Sequence, residues 1–349
     1  MALDDFEGLL DWERLQPWLL EQKDVPGEGP VTAVTKLQGG SQNNIFLLER
    51  EGARLVLRRP PKHLRPNSND TMLREARVLG ALAGTDVPHP ELYGVCPDPD
   101  VIGACFYLMA PIDGFTPRGD LPGRYGTDPE WRRAMAFEIV EAAAKLGRID
   151  PDAVGLSGFG KPDRWIERQV DRWRSQLEGY RQLDGYPGPD LPAVDEVGRW
   201  LDENKPAEAR IGIIHGDCQF ANVMFAHDRP ELVALVDWEL STLGDPLLDL
   251  GWILTSWDEP GDPPGHSLQV APFEGFPSRA ELIERYVALT GRDPALVPWF
   301  FVLACYKLGI ILEGSWARAL AGQAPMDIGE RLHDTAVWLF AKAQQLISS

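Results

Sequence analysis

The sequence predicts an α+β protein with a small β-rich N-terminal lobe and a larger, mainly helical C-terminal lobe. Its 349 residues exceed the size at which single hydrophobic cores stop growing, about 250 to 300 residues, so two units are expected. Short β-type runs dominate residues 32–59, whereas helical periodicity dominates after residue 114. We therefore assign residues 1–110 to the N-terminal lobe and residues 111–349 to the C-terminal lobe.

The spacing of apolar residues predicts the elements of the N-terminal lobe. Residues 4–22 are amphipathic and should form a helix, and the β-type runs at residues 45–48 and 55–57 are separated by Gly and Asn turns. Apolar residues recur at helical spacing over residues 71–83, which places Glu75 in the first turns of another helix. The lobe should therefore contain an N-terminal helix, an antiparallel sheet and a helix that carries Glu75.

Capping signals mark helix starts in the C-terminal lobe. Thr127 with Glu130, and Ser278 with Glu281, have the spacing of a capping box, in which each side chain bonds the other residue's backbone N–H. Strand-like runs interrupt the series of predicted helices only at residues 211–239. This lobe should therefore be a helical body with one strand-rich insertion.

Charge and composition exclude several classes of protein. The formal net charge is −19, from 53 acidic and 34 basic residues, so long-range repulsion disfavours nucleic acid and anionic membrane surfaces as partners. The apolar run at residues 297–312 contains Lys307 and is shorter than the ~20 residues of a membrane span, which predicts a buried core helix. No feature points to an obligate protein partner.

Cysteine usage and the first residues predict a cytoplasmic location. The four cysteines form no CxxC pair and show no zinc-type spacing with histidine, which suits reduced thiols. Acidic residues occupy the first segment, where a secretory signal would need basic ones, so no export signal is expected.

The strongest motif is an apolar strand-like run that leads into a polar loop. Residues 211–214 are followed by a loop in which Asp217 and Asn222 lie five positions apart. A second apolar run, at residues 232–236, ends in Asp237. Such a pair of runs predicts a hairpin that carries polar side chains at one end.

The hairpin predicts a site for phosphoryl transfer. Pairing Asn222 with Asp237 puts the centre of an antiparallel hairpin between Arg229 and Pro230, inside the polar turn at residues 227–230, so these two side chains should meet. Their oxygen atoms suit Mg²⁺, which proteins hold with one or two carboxylates together with substrate phosphates. Asp217 is then left to face an acceptor hydroxyl, which completes the groups that such a reaction needs.

These residues resemble the aminoglycoside phosphotransferase family. His215, Gly216, Asp217 and Asn222 are similar to its catalytic loop, Asp237 is similar to its metal-binding aspartate, and the resemblance extends from about residue 37 to the C-terminal helices. It implies a bilobal protein-kinase-like fold that binds ATP and Mg²⁺ between the lobes and phosphorylates a hydroxyl of a small molecule. His215, Asp217 and Asn222 are the implied catalytic residues, and Asn222 and Asp237 the implied metal ligands.

The resemblance also implies a nucleotide site. Arg58 stands where the family usually has a phosphate-binding lysine, with Glu75 as its ion-pair partner; an ordinary surface ion pair, or Arg59 in this role, is an alternative. The strand-like run at residues 104–110 leads into a hinge segment for adenine. The implied nucleotide-binding residues are Gly39, Gly40, Ser41, Asn43, Arg58, Glu75, Met109, Ala110 and Ile112. The glycine loop alone would fit a plain hairpin turn equally well.

Several alternatives remain open for the function. The Arg58 variant resembles the kinase-like domains associated with acyl-CoA dehydrogenases, which favours a hydroxyacyl-type metabolite over an aminoglycoside as acceptor. The same arginine leaves open a catalytically silent nucleotide-binding protein. A protein kinase is disfavoured, because only seven residues separate Asp237 from Asp245 and leave no room for a peptide-docking segment.

Other polar residues also have two interpretations. Glu239 binds a second metal ion or caps the following helix, and the cap is favoured. Lys307 and Glu313, on an apolar helix, face a substrate cleft or pair with other charges. Asp249 resembles the family's acid that braces the catalytic loop.

Overall fold

The computed structural model describes residues 3–37, 43–257, 259, 262 and 270–348. In its N-terminal lobe, a five-stranded antiparallel sheet has the strand order β1-β2-β3-β5-β4. The elements are α1 (Trp12–Glu21), β1 (Glu28–Leu37), β2 (Asn44–Glu51), β3 (Ala53–Arg59), α2 (Ser68–Leu82), β4 (Leu92–Cys96) and β5 (Phe106–Met109). A separate apolar cluster fills the lobe between α1 and the sheet.

The C-terminal lobe is mainly helical. Its elements are β6 (Gly119–Asp120), α3 (Gly123–Thr127), α4 (Pro129–Arg148), α5 (Gln169–Gly179), α6 (Val194–Glu203), β7 (Gly212–Ile214), β8 (Val223–Phe225), β9 (Leu232–Leu235), β10 (Thr242–Gly244), α7 (Leu247–Thr255), β11 (Val270–Ala271), α8 (Arg279–Thr290), α9 (Val297–Leu320) and α10 (Met326–Ser348). Strand β7 pairs with β10, and β8 pairs with β9. The predicted α+β architecture, with a small β-rich lobe and a larger helical lobe, is confirmed.

Two predicted helix starts differ from the structure. The helix expected over residues 4–22 begins only at Trp12, because the carboxylates of Asp4 and Asp5 accept hydrogen bonds from nearby backbone N–H groups and hold turns instead. The capping box predicted at Thr127 is wrong: Thr127 ends α3, and Asp128 caps α4 through the N–H of Glu130. Ser278 and Glu281 do form the predicted capping box.

The hairpin of β8 and β9 forms as predicted but in a different register. Val223 pairs with Leu235, and the N–H of Val236 donates to the carbonyl of Asn222 at 2.9 Å. Asn222 is therefore opposite Val236 and not Asp237, because the turn closed by Ala226 and Glu231 is centred one residue earlier than the predicted pairing requires. An irregularity between Met224 and Phe225 makes up only part of this difference. Asp237 follows immediately in a left-handed conformation, with a φ of 67°.

Helix α9 lies in the core of the C-terminal lobe and packs against α7 and α10. The segment Pro294–Leu320 is long and apolar enough to cross a membrane by length and composition, and its most apolar window has a mean hydropathy of 2.0. However, 67% of its most apolar window is buried inside the protein, as for the core helix of a folded domain. This burial agrees with the prediction of a core helix.

A glycine sets the close approach of α7 to α9. A Cβ atom on Gly251 would lie 2.5 Å from the carbonyl oxygen of Phe300, so a larger residue must push the helices apart. Overpacking of this kind typically costs ~1–3 kcal/mol.

We expect Gly251→Ala to lower the free energy of unfolding by ~1–3 kcal/mol, measured by urea denaturation. Gly179→Ala is the matched control, because Gly179 also lies in a helix but has no atom within 4 Å of the added Cβ. Equal stabilities of the two variants would show that the contact between α7 and α9 is not tight.

Candidate active site

The loop after β7 is held by a buried carboxylate. Both oxygens of Asp249, on α7, accept backbone N–H groups: His215 donates at 2.7 Å and Gly216 at 2.9 Å. Gly216 has a φ of 84°, and a Cβ there would collide with the carbonyl of Leu240. Asp249 and the absence of a side chain at position 216 thus fix the backbone immediately before Asp217, which places Asp249 where a loop brace was expected.

Three donors orient the Asp217 carboxylate. Its Oδ1 accepts from Gln219 Nε2 at 2.7 Å and from the indole Nε1 of Trp252 at 2.8 Å, and its Oδ2 accepts from Asn222 Nδ2 at 2.6 Å. Charge-assisted hydrogen bonds of this length are about twice as strong as neutral ones. The carboxylate is thus held as an acceptor, while the amide oxygen of Asn222 is left for another ligand.

His215 positions the loop rather than meeting a substrate. Its side chain is fully buried, with Nε2 3.0 Å from the carbonyl of Val236 and Nδ1 3.3 Å from the N–H of Asp217. The ring also packs against Trp238, with centroids 4.6 Å apart. His215 therefore links the catalytic loop to the strand that leads into Asp237.

Arg58 connects the N-terminal lobe to Asp237. Its Nη2 donates to Oδ1 of Asp237 at 2.7 Å, and its Nε lies 2.9 Å from Oε2 of Glu75, at an angle that makes this contact an ion pair without a hydrogen bond. Burial opposes the charge of Arg58, yet Tyr107, Glu75 and Asp237 together raise its pKa. Tyr107 also donates to Glu75 Oε2 at 3.0 Å. The pair Arg58–Glu75 is buried, unlike an ordinary surface ion pair.

Arg59 faces different partners. Its guanidinium donates to the carbonyls of Leu9, Pro60 and Ile102, and burial lowers its pKa to about 10. These contacts tie β3 to the N-terminal segment, so Arg59 does not reach the group around Asp237.

Three carboxylates come together beside Arg58. Ligand atoms of Glu75, Asp237 and Glu239 lie within 4.8 Å of one another. Burial, with the charges of Asp237 and Glu75, raises the pKa of the Glu239 carboxyl to about 7. The expectation that Glu239 caps a helix is not met, because the short turn Trp238–Leu240 directs its carboxylate to this group.

This carboxylate group fits a hard divalent cation. Oε1 of Glu75 is buried and has no hydrogen-bond partner within the described part of the chain, which leaves an acceptor atom unsatisfied. Carboxylate oxygens, with the amide oxygen of Asn222 nearby on the hairpin, are the ligands that Mg²⁺ prefers. Of the two predicted ligands, Asp237 belongs to this group together with Glu239, and Asn222 is joined through its backbone carbonyl to Val236, the residue before Asp237.

The predicted nucleotide residues are only partly described. Gly39, Gly40 and Ser41 lie outside the described residues, and Asn43 directly precedes β2. Met109 ends β5, and the N–H of Ala110 donates to Glu91 at 2.8 Å. Within the described ranges, the Ala110 carbonyl and the Ile112 N–H make no backbone hydrogen bond, so one acceptor and one donor remain on this segment.

Two residues at the site were not predicted in these positions. Trp252, on α7, contacts Asp217 as described, and no motif in the sequence indicated it. Lys307, on α9, donates to the carbonyl of Gly216 at 3.2 Å and lies 4.5 Å from the centre of the Trp252 ring. Glu313 is instead paired, with Tyr186 Oη and His333 Nδ1 each at 2.6 Å.

The chain is similar to known phosphotransferases and to parts of larger proteins. Residues 33–295 match the phosphotransferase enzyme family. Mouse acyl-CoA dehydrogenase family member 10 is 31% identical over 89% of this chain, and human acyl-CoA dehydrogenase family member 11 is 32% identical over 83%. The matches cover 29% and 36% of those proteins, so the chain spans about a third of the length of these relatives.

Solved structures are also similar. A "putative aminoglycoside phosphotransferase" from Ralstonia eutropha is 30% identical, with a TM-score of 0.77, over 96% of this chain and 98% of that one. Choline kinase from Cryptosporidium parvum has a TM-score of 0.59 over 97% of both chains, and at 15% identity this likeness shows the fold alone. The protein-kinase-like fold predicted from the sequence is thereby confirmed, and the chain belongs to the phosphotransferase enzyme family.

Proposed function

We propose that the protein transfers the γ-phosphoryl group of ATP, with Mg²⁺, to a hydroxyl of a small molecule, and that the acceptor is a hydroxyacyl-type metabolite. The observation that supports this proposal is that one hairpin carries both the predicted proton acceptor and the carboxylates that fit Mg²⁺. Asp217 and Asn222 lie on the β8 side, Asp237 and Glu239 follow β9, and the Val236 to Asn222 hydrogen bond of 2.9 Å joins the two sides.

Asp217 is the group that takes the proton from the substrate hydroxyl that is phosphorylated. Its two oxygens are held by Gln219, Asn222 and Trp252, so the carboxylate stays oriented without rearrangement when a hydroxyl arrives. Orientation of the nucleophile by an aspartate is one of the recurring parts of phosphoryl transfer. The completeness of this loop favours an active enzyme over a silent nucleotide-binding protein.

Asp237, Asn222 and Glu239 would hold Mg²⁺, which supplies neutralisation of the charge on the phosphates. Arg58 supplies a second positive charge, since its guanidinium stays protonated and can grip a phosphate with two donors. Glu75 fixes the orientation of Arg58 from the buried side. Because Glu75 orients the guanidinium, Arg58 can bind phosphate at the position where the family more often has a lysine.

Separate observations support ATP as the nucleotide and a hydroxyacyl compound as the phosphoryl acceptor. The Ala110 carbonyl and Ile112 N–H offer an acceptor and a donor, which complement the amino group and ring nitrogen of adenine. The relatives named acyl-CoA dehydrogenase family members support an acyl-type acceptor, whereas structural neighbours with hygromycin B or named choline kinase represent other acceptors. An aminoglycoside is the second candidate for the acceptor, favoured by the Ralstonia eutropha neighbour.

The four buried free cysteines support a cytoplasmic location of the protein.

We expect Asp217→Asn to lower the rate of phosphoryl transfer by ~10²–10⁴-fold, because general-base catalysis contributes about that factor. The measurement uses radiolabelled ATP with a panel of hydroxy acids, their thioesters and aminoglycosides. Asp228→Asn, an exposed carboxylate at the tip of the same hairpin, is the matched control. Full activity of Asp217→Asn would remove Asp217 from the mechanism.

We expect Arg58→Met to weaken ATP binding by ~10–100-fold, because charge-assisted hydrogen bonds contribute about 1.5–3 kcal/mol. Arg58→Lys should bind with intermediate affinity, since it keeps the charge but loses the forked donors. Isothermal calorimetry with Mg²⁺ and ATP measures both. Arg54→Met, on the same strand and exposed, should bind as the wild type does; equal affinity of Arg58→Met would contradict the assignment.

Glu239→Gln should raise the Mg²⁺ concentration at half-maximal rate by ~10-fold or more, since ligand-shell changes typically cost 10–100-fold in metal affinity. A Mg²⁺ titration of the initial rate at saturating ATP tests this expectation. Glu231→Gln, an exposed carboxylate before β9, is the control. An unchanged Mg²⁺ requirement in Glu239→Gln would show that Glu239 is no metal ligand.

A further inference from the structure

Two arginines of helix α2 reach from the N-terminal lobe to the loop between α4 and α5. Arg74 and Arg77 are exposed, and their guanidinium carbons lie 4.1 and 5.7 Å from the centre of the Phe159 ring. The Phe159 side chain is only 2% exposed, so the ring is a fixed part of the C-terminal lobe. The two arginines therefore connect α2 to that lobe through one aromatic ring.

The two arginines donate to different carbonyls. Arg77 Nη2 donates at 2.9 and 3.1 Å to two carbonyls nearer the start of the loop, those of Gly155 and Ser157. Arg74 donates from Nη1 to the carbonyl of Phe159 at 2.9 Å and from Nη2 to the carbonyl of Ser241 at 3.4 Å. Of the two, it is therefore Arg74 that bonds the segment directly before β10.

Ser241 follows the short turn that carries Glu239. Its N–H donates to the carbonyl of Trp238 at 3.0 Å, which closes the turn. Its Oγ donates to the carbonyl of Ile214 at 2.9 Å, in the strand that leads into the catalytic loop. The hydrogen bond of Arg74 to Ser241 thus holds α2 against the backbone of this turn.

The second carbonyl that Arg74 binds lies in a part of the loop that packs on β10. Phe159 is followed by Gly160, where a Cβ atom would lie only 2.8 Å from the backbone nitrogen of Leu243. The loop and the strand are therefore in contact without room for a side chain between them. Both hydrogen bonds of Arg74 attach α2 to the continuous backbone of the turn and β10.

The carboxylate cluster of Glu75, Asp237 and Glu239 needs such an attachment. Glu75 is the residue after Arg74 on α2, Glu239 stands on the turn, and ligand atoms of the cluster lie within 4.8 Å of one another. Like charges at this distance repel, and Arg58 offsets only part of the repulsion. The repulsion acts between α2 and the turn, so a contact that joins these two backbones keeps the carboxylates together until a cation binds.

We propose that Arg74 is a positioning residue for the metal ion, because it holds α2 close enough to the turn for Glu75 and Glu239 to face one cation. The proposal rests on the Mg²⁺ dependence in the proposed function, and Arg74 acts through the backbone without being a ligand itself. Arg77 is the matched control: it has the same charge, helix and aromatic ring, but its hydrogen bonds go to the start of the loop. Because both arginines are exposed, replacing either leaves the core intact.

The test measures metal binding without turnover. Calorimetry on the full chain gives the affinity for a non-hydrolysable ATP analogue once with excess Mn²⁺ and once with EDTA, and the ratio is the gain that the metal provides. We expect Arg74→Met to lower this gain by ~10-fold, since changes around metal ligands typically cost 10–100-fold in metal affinity. The affinity in EDTA should change little. Arg74→Lys keeps the charge but not the forked donors, and should restore part of the gain.

Two further measurements separate positioning from a general loss of structure. In transfer assays Arg74→Met should raise the Mg²⁺ concentration at half-maximal rate by ~10-fold, while KM for the acceptor stays that of the wild type. Urea denaturation should show similar losses of stability for Arg74→Met and Arg77→Met, because each variant loses two hydrogen bonds to carbonyls and a contact with Phe159.

Either of two results would overturn the proposal: Arg74→Met gains as much affinity from Mn²⁺ as the wild type does, or Arg77→Met loses as much of the gain as Arg74→Met. The proposed function fails by a different result, namely a Mn²⁺-dependent gain in the wild type without phosphoryl transfer to any member of the acceptor panel. A wild type whose affinity for the analogue does not depend on Mn²⁺ would contradict both.

Discussion

The contact of Arg58 with Glu75 and Asp237 is the interaction on which the site depends. It joins strand β3 and helix α2 of the N-terminal lobe to the residue that follows β9 in the C-terminal lobe. A buried ion pair is favourable only when its geometry and further hydrogen bonds offset desolvation, and Tyr107 provides one such bond. The lobes are thereby linked at the point where nucleotide phosphates are expected.

The same cluster has more negative than positive charge. Glu75, Asp237 and Glu239 face a single guanidinium, and this excess is the physical reason that a divalent cation and an arginine suit one site. On the other side of the hairpin, Asp217 is held entirely by neutral donors, so it is left free to accept a proton. The carboxylate cluster and Asp217 therefore have different electrostatic surroundings, because different helices and strands supply the side chains around each of them.

The sequence predicted the parts of the site that reside in local patterns. Asp217, Asn222 and Asp237 were visible because an apolar strand precedes each polar turn, and Glu75 because helical spacing placed it. The register of the hairpin was wrong by one position, since the polar residues of the turn do not show at which residue the turn is centred. Trp252 could not be predicted, because the packing of α7 against α9 decides which atoms its side chain meets.

The most direct test of the account is the position of the metal. Crystals grown with Mn²⁺ in place of Mg²⁺ and a non-hydrolysable ATP analogue would locate the ion by its anomalous scattering. The account predicts a peak within coordination distance of oxygens from both Asp237 and Asn222, with the nucleotide phosphates completing the shell. A bound nucleotide whose metal lies away from these two side chains would contradict the central claim.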